Sequence, residues 1–193
     1  MTHDEFYGKD YQKLLQAEQL LKDLIQRFQG SESEKKIAYI SSRIKSPDSM
    51  IKKLEKKGIE PTAANAILKV NDAVGIRVIC SFVDDIYNVS RWLDAQKEIE
   101  VIKTKDYIAY PKENGYRSYH MIIKIKELNL NAEIQIRTIA LDFWANLEHQ
   151  MKYKRNIKNE EMIRSELKRC ADEIASIDLS MQTIKDLIFV DET

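Results

Sequence analysis

Cysteine is nearly missing from this chain: Cys80 and Cys170 stand alone among 193 residues, with no Cys-x-x-Cys pair and no Cys/His cluster. That spacing encodes neither a disulfide framework nor a zinc site, and a reducing cytoplasm is the expected compartment. Long hydrophobic runs are missing too, and no stretch approaches the roughly 20 apolar residues that cross a bilayer. The opening MTHDEFYGKD is polar and acidic and lacks the apolar core of a signal peptide. Neither secretion nor a membrane location is expected. Charge of one sign is absent: 31 Lys/Arg balance 31 Asp/Glu, so the molecule is not a polycation built for duplex DNA, and any anion site must come from local charge. Five Gly and three Pro exclude collagen-like or low-complexity structure, while a 44% hydrophobic content suits one compact domain.

What is there begins with helical spacing. Tyr7, Tyr11, Leu14, Leu15, Leu21, Leu24, Ile25 and Phe28 recur at three- and four-residue steps, predicting one amphipathic helix from Asp4 to Phe28 that ends at Gly30 and the Ser/Glu stretch. A β-branched strand over Ile37 to Ile44 runs into Ser46-Pro47, a Ser N-cap with Pro at the first helical position, opening a helix that Gly58 closes. A short helical turn over Ala63 to Leu68 leads to AVGIRVICSF, Ala73 to Phe82, whose near-continuous apolarity predicts a central strand. A helix from Asp84 to Gln96 and a strand over Glu98 to Lys103 precede a loop, Asp106 to Arg117, carrying Asn114-Gly115. Strands over Ser118 to Lys126 and Ala132 to Arg137 form a hairpin around Asn129. Thr138 caps a helix to about Tyr153 that buries Ala140, Phe143, Trp144, Leu147 and Met151, and a helix from Glu160 to Ile188 closes the chain. The order predicts an α+β fold with a mixed sheet flanked by helices.

Charge is uneven along this order. Residues 35–57 hold eight Lys/Arg against two Asp/Glu, and residues 159–193 hold four against nine. In RIKSPDS, Arg43 to Ser49, a guanidinium, an ammonium and hydroxyls meet the unpaired N–H groups of a helix start, an arrangement that holds phosphate oxygens. The same residues also suit a capped, solvated helix start. Asp72 stands at the mouth of a buried strand, where a carboxylate can hold a divalent cation or simply make a turn. Arg77 lies within that apolar strand and needs an anion or a flat partner. Alternation in AEIQIRT puts Glu133, Gln135 and Arg137 on one face, and if Glu133 lies across from Asp72 the pair makes a metal cradle. KENGYRSYH offers Lys112 and, on one side of an extended chain, Tyr116, Ser118 and His120, a stacking platform beside a titratable ring. Asp142, Asn146 and His149 fall on the polar arc of the DFWANLEHQ helix, most of which reads as structural.

In this order RIKSPDS, NDAVGIR, KDYIAYPKENGYRSYH, EIQIRT and DFWANLEH resemble the RelA/SpoT-type (p)ppGpp synthetases, and the stand-alone small alarmone synthetases in particular, over Ile37 to Lys154. The resemblance implies a nucleotidyltransferase-like sheet and transfer of pyrophosphate from ATP to the ribose 3′-hydroxyl of GDP or GTP, with release of AMP. It implies that Arg43 and Arg77 sandwich adenine, that Lys45 and Ser49 hold the ATP phosphates, and that Asp72 binds Mg²⁺. It implies further that Glu133 helps with the metal or takes the 3′-hydroxyl proton, that Tyr116 stacks on guanine with Lys112 and His120 near the acceptor's phosphates or sugar, and that Gln135 is a supporting residue. Asp142 is expected to match its two acceptor oxygens to the N1–H and N2–H₂ donors of guanine.

On this reading residues 1–30 form an N-terminal helix, 31–157 the catalytic domain and 158–193 a helical extension. Ala73 stands where relatives carry a larger aliphatic side chain. The His3-Asp4 dipeptide has no room upstream for the hydrolase domain of bifunctional relatives, so hydrolysis is not expected, and neither is ribosome-controlled activation. The resemblance also implies a homo-oligomer, commonly a tetramer built through helices. Two other classes fit parts of the chain: a non-catalytic nucleotide- or RNA-binding module of the same fold, and a purely structural oligomerisation protein.

Overall fold

The computed structural model describes residues 1–32, 35–152 and 159–189. Two helices open the chain, α1 (His3–Tyr7) and α2 (Asp10–Ser31), where the periodicity predicts one. The break falls at Gly8, whose φ of 54° strains any residue with a Cβ. A capping box fixes the start of α1: Thr2 Oγ1 accepts from Glu5 N, and Glu5 Oε2 accepts from Thr2 N. Helix α2 runs through Gly30 instead of stopping there. One interior glycine costs a helix about 1 kcal/mol, which the buried face of Leu14, Leu21, Leu24, Ile25 and Phe28 exceeds.

The strands are β1 (Ile37–Ile44), β2 (Val74–Cys80), β3 (Ile99–Asp106), β4 (Tyr119–Ile125) and β5 (Leu130–Thr138). They form one five-stranded sheet in the order β1-β2-β5-β4-β3, with β2 and β5 parallel and the other neighbours antiparallel. The expected mixed sheet with flanking helices is therefore present. β3 extends beyond Lys103 because Thr104 and Asp106 still pair with Met121 and Tyr119. Between the strands lie α3 (Pro47–Lys56), α4 (Ala63–Leu68) and α5 (Val83–Asp94), and after β5 come α6 (Ile139–Lys152) and α7 (Glu160–Phe189). The end of α6 expected near Tyr153 and the domain boundary at 157 lie outside the described residues.

The two faces of the sheet divide the work. On one face Ile76, Val78, Met121, Ile123, Ala132, Ile134 and Ile136 are buried beneath α2 and α5, forming the main core. Alternation sends Arg43, Arg77, His120, Glu133, Gln135 and Arg137 to the other face, against which α6 packs. α6 differs from expectation. Leu141, Trp144, Ala145 and Glu148, at helical spacing, turn inward to the sheet and α7, whereas Phe143, Leu147 and Met151 are exposed. The inward arc had to be the one that also carries Asp142, since that carboxylate meets the arginines rising from β2 and β5. Among the described residues no helix is long and apolar enough to cross a membrane.

Candidate active site

Sheet register sets the first frame of the site. Parallel pairing of Gly75 with Glu133 and Arg77 with Gln135, and antiparallel pairing of His120 with Gln135, place these side chains in adjacent rows on the polar face. Arg43 pairs with Gly75, so the row between Arg43 and Glu133 has no side chain at its centre. Asp72 immediately precedes β2, at the same end of the sheet as Glu133.

Asp72 is held by two ammonium groups on one oxygen: Lys45 Nζ at 2.9 Å and Lys53 Nζ at 2.6 Å both reach Oδ2. Its Oδ1 is buried without a hydrogen-bond partner. Burial pushes this carboxyl up, but the Lys53 and Lys45 bonds outweigh it and hold the group below its ordinary value. The turn carrying Lys45 is itself pinned, because Lys45 N donates to Ala73 O at 2.9 Å and the buried Tyr7 hydroxyl donates to Lys45 O at 2.7 Å. Ser46 makes no side-chain cap for α3, contrary to expectation; its hydroxyl instead donates to Ser49 Oγ at 2.8 Å, leaving Ser49 exposed.

Glu133 receives a different set of partners. His120 Nδ1 lies 3.2 Å from Oε1, and Gln135 Nε2 donates to Oε2 at 3.0 Å. Burial raises this carboxyl, but the hydrogen bonds from His120 and Gln135 bring it below its ordinary value, while the nearby Asp72 charge opposes them. The two carboxylates thus sit close enough to repel. Both are ionised at neutral pH.

The loop between β3 and β4 carries the aromatic wall. Gly115, at φ 85°, lets the chain turn, and Tyr116 then packs beside Trp144, Ala145 and Ala171. Lys112 Nζ lies 4.7 Å from the ring centres of both Tyr107 and Tyr116. The Tyr116 hydroxyl is 2.9 Å from His120 Nε2 and accepts from Arg137 Nη2 at 2.6 Å. Arg117 does not enter the site; it donates to Gly115 O and pairs with Asp172 on α7 at 3.1 Å.

Asp142 is corrected by the structure. Its side chain is 2% exposed, with Oδ1 at 3.0 Å from Arg137 Nη1 and 3.4 Å from Arg77 Nη1, and Oδ2 accepting from Tyr39 at 2.8 Å and Asn146 at 3.0 Å. Both oxygens expected to meet guanine are thus committed to the protein. Two further residues, Arg137, placed on this face by the sequence but given no role, and Lys53, not singled out, belong to the site. Arg137 shares the alternating face of Glu133 and Gln135, a signal present in EIQIRT, and Lys53 follows Ser49 by one helical turn.

A cleft of about 1390 Å³ opens on this face. Arg43, Arg77, Lys112, Tyr116, His120, Gln135 and Arg137 line it; Lys45, Ser49, Asp72, Glu133 and Asp142 do not. Glu133 is bonded to two of the lining residues. The cleft therefore joins cationic planes and an aromatic platform, with the Glu133 carboxylate bonded behind two of its lining residues, a set suited to nucleotides and to proton transfer.

The region found in RelA / SpoT proteins matches residues 42–158. The chain belongs to the RelA/SpoT family. Among curated relatives, GTP pyrophosphokinase YwaC of Bacillus subtilis is 44% identical over 156 residues, covering 77% of this chain and 74% of that one. The small alarmone synthetase 1 structure from Bacillus subtilis superposes with a TM-score of 0.82 at 32% identity, covering 98% of this chain and all of that one. The same enzyme bound to its product pppGpp superposes at 0.76 and 31% identity, over 92% and 93% of the two chains. The RelA/SpoT match contains Arg43, Arg77, His120, Glu133, Gln135 and Arg137 of the polar face, while α1, α2 and α7 lie outside it.

Proposed function

We propose that this chain is a (p)ppGpp synthetase of the cytoplasm, transferring the β,γ-pyrophosphate of ATP to the ribose 3′-hydroxyl of GDP or GTP. The pppGpp-bound relative of the same fold and the GTP pyrophosphokinase relatives support this reading. The observation that carries it is the Glu133 carboxylate, bonded to His120 and Gln135, beside a cleft that Arg43, Arg77 and Tyr116 line together. Arg43 and Arg77 take the adenine face, and Lys45 and Ser49 the ATP phosphates. Tyr116 stacks on guanine, Lys112 and His120 stand by the acceptor's phosphates or sugar, and Gln135 supports Glu133. The acceptor 3′-oxygen attacks the β-phosphorus, its proton passes to the Glu133 carboxylate, the bond from that phosphorus to the α,β-bridging oxygen breaks, and AMP leaves.

A divalent cation, Mg²⁺, fits Asp72, whose buried Oδ1 lacks a hydrogen-bond partner, with Glu133 as the second carboxylate. Bound there, it would neutralise phosphate charge. Among the described residues no cluster of three or more acidic, His or Cys ligands exists, so the two carboxylates would hold the cation only together with oxygens from outside the protein. A module that merely binds anions gains nothing from two adjacent carboxylates. Exposed apolar stripes on α6 and α7 support self-association into a homo-oligomer, with a tetramer expected.

Incubation with ATP, GDP or GTP, and Mg²⁺ is expected to give AMP and a 3′-pyrophosphorylated guanine nucleotide in equal amounts. Glu133→Gln is expected to lower turnover by roughly a hundredfold or more while retaining nucleotide binding. No AMP from the wild type, or near-normal turnover in the variant, contradicts the reading.

A further inference from the structure

We infer that Arg137 is a positioning residue that fixes both oxygens of Glu133 through two hydrogen-bond arms, one running through the Tyr116 hydroxyl and His120 and the other through Gln135. The inference deepens the synthetase reading, on which the role of Glu133 as proton acceptor rests.

The direction of every bond follows from Arg137. A guanidinium has donors and no acceptor, and it does not deprotonate in proteins. Its Nη2 reaches the Tyr116 oxygen at 2.6 Å and Gln135 Oε1 at 3.1 Å, so both oxygens must accept. Tyr116 then has its own proton to give, and the partner is His120 Nε2 at 2.9 Å. A neutral His120 that accepts at Nε2 carries its proton on Nδ1, which faces Glu133 Oε1 at 3.2 Å. On the other arm the Gln135 amide, with its oxygen turned to Arg137, presents Nε2 to Glu133 Oε2 at 3.0 Å. The reverse amide orientation would set NH₂ against the guanidinium and oxygen against the carboxylate, so the network itself assigns it.

The result is a closed ring with a fixed cation at one end, an anion at the other, and all donors pointing the same way. Aligned donors polarise one another and strengthen each link. Arg137 is itself 4% exposed and locked, since Nε donates to Ser118 Oγ at 3.3 Å and Nη1 to Asp142 Oδ1 at 3.0 Å. A carboxylate bonded once on each oxygen cannot swing, so its remaining lone pairs are aimed before the acceptor hydroxyl arrives. Tyr116 also lines the cleft, with Arg137 Cζ 5.2 Å and Lys112 Nζ 4.7 Å from its ring centre, so its ring meets the cleft while its hydroxyl works in the network. One side chain thus serves binding through its face and proton-acceptor alignment through its oxygen.

The test separates those two uses. Wild-type protein labelled with ¹⁵N-histidine, free of nucleotide at neutral pH, is expected to show His120 as the Nδ1-protonated neutral tautomer. Tyr116→Phe keeps the stacking ring and leaves Asp142 paired, so it is expected to stay folded, to lose that tautomer signature, and to lower kcat by roughly tenfold with both nucleotide KM values unchanged. Gln135→Met cuts the other arm and is expected to lower kcat while leaving the His120 tautomer in place. A wild-type His120 protonated on Nε2 or on both nitrogens overturns the inference, as does an unchanged kcat in Tyr116→Phe or a loss confined to the guanine nucleotide KM. Because the histidine signature is read without substrate, a wild type that makes no alarmone but shows the Nδ1 tautomer rejects the reaction assignment and supports the ring.

Discussion

At the scale of the residue, Asp142 shows how one carboxylate can decide the state of its surroundings. Two guanidiniums, Arg77 and Arg137, converge on its Oδ1, and Arg77 is drawn below its ordinary pKa by burial first and by the Arg137 charge second, with Asp142 opposing both. Removing the carboxylate leaves two buried or half-buried cations facing each other. Asp142→Ala is therefore expected to lower unfolding free energy by about 3–5 kcal/mol, read by urea denaturation. An unchanged midpoint would show that solvent or a rearranged Asn146 takes over the role. The residue was legible as a polar position on α6 and no further. Alternation and helical period state which face a side chain occupies, but not which long cation from a neighbouring strand reaches it. For that reason Glu133, Gln135 and Arg137 emerged together on one face from the sequence, whereas Asp142 was matched by its lone pairs to a ligand when the protein had already used them.

At the scale of the element, the long helix α7 and the β3–β4 loop come closest where Gly115 faces Ala171. A Cβ built on Gly115 would stand 2.6 Å from Ala171 Cβ, and the φ of 85° is unfavourable to any side chain. Gly115→Ala is expected to cost about 2–4 kcal/mol from the clash and the backbone together. Combining it with Ala171→Gly should recover the clash but not the backbone strain, so a double-mutant cycle by thermal or urea unfolding is expected to show a favourable coupling. Additive effects would mean the loop does not rest on α7 in solution. Helices and strands were legible here because their periods are local. The split of the first helix was missed since the apolar spacing continues across Gly8, and only the backbone at that position shows the turn. The adjacency of β2 and β5 was equally hidden, as nothing local marks a parallel pairing between strands that end at Cys80 and begin at Leu130, and it is this pairing that brings Asp72 to Glu133.

At the scale of the whole molecule, the zero net charge leaves little long-range repulsion between copies. Ile139, Phe143, Leu147 and Met151 form an exposed stripe at helical spacing on α6, and Ile177, Met181, Ile184 and Ile188 form another on α7. Apolar surface of this extent is uncommon on a monomer, and each square ångström removed from water contributes about 25 cal/mol. A second copy of the chain would offer the same stripes in return, which is the basis of the self-association proposed above. Sedimentation velocity is therefore expected to show an oligomer for the wild type. Phe143→Asp and Ile184→Asp, each placing a charge in one stripe, should shift the chain to smaller species while thermal unfolding of the protomer stays cooperative. Synthetase turnover per chain should survive dissociation, since the cleft, the Arg137 ring and the Asp72 cradle are all built within one protomer. A wild type that sediments as a monomer at micromolar concentration would remove the stripes from assembly, and turnover lost in step with dissociation would mean that a neighbouring subunit completes the site.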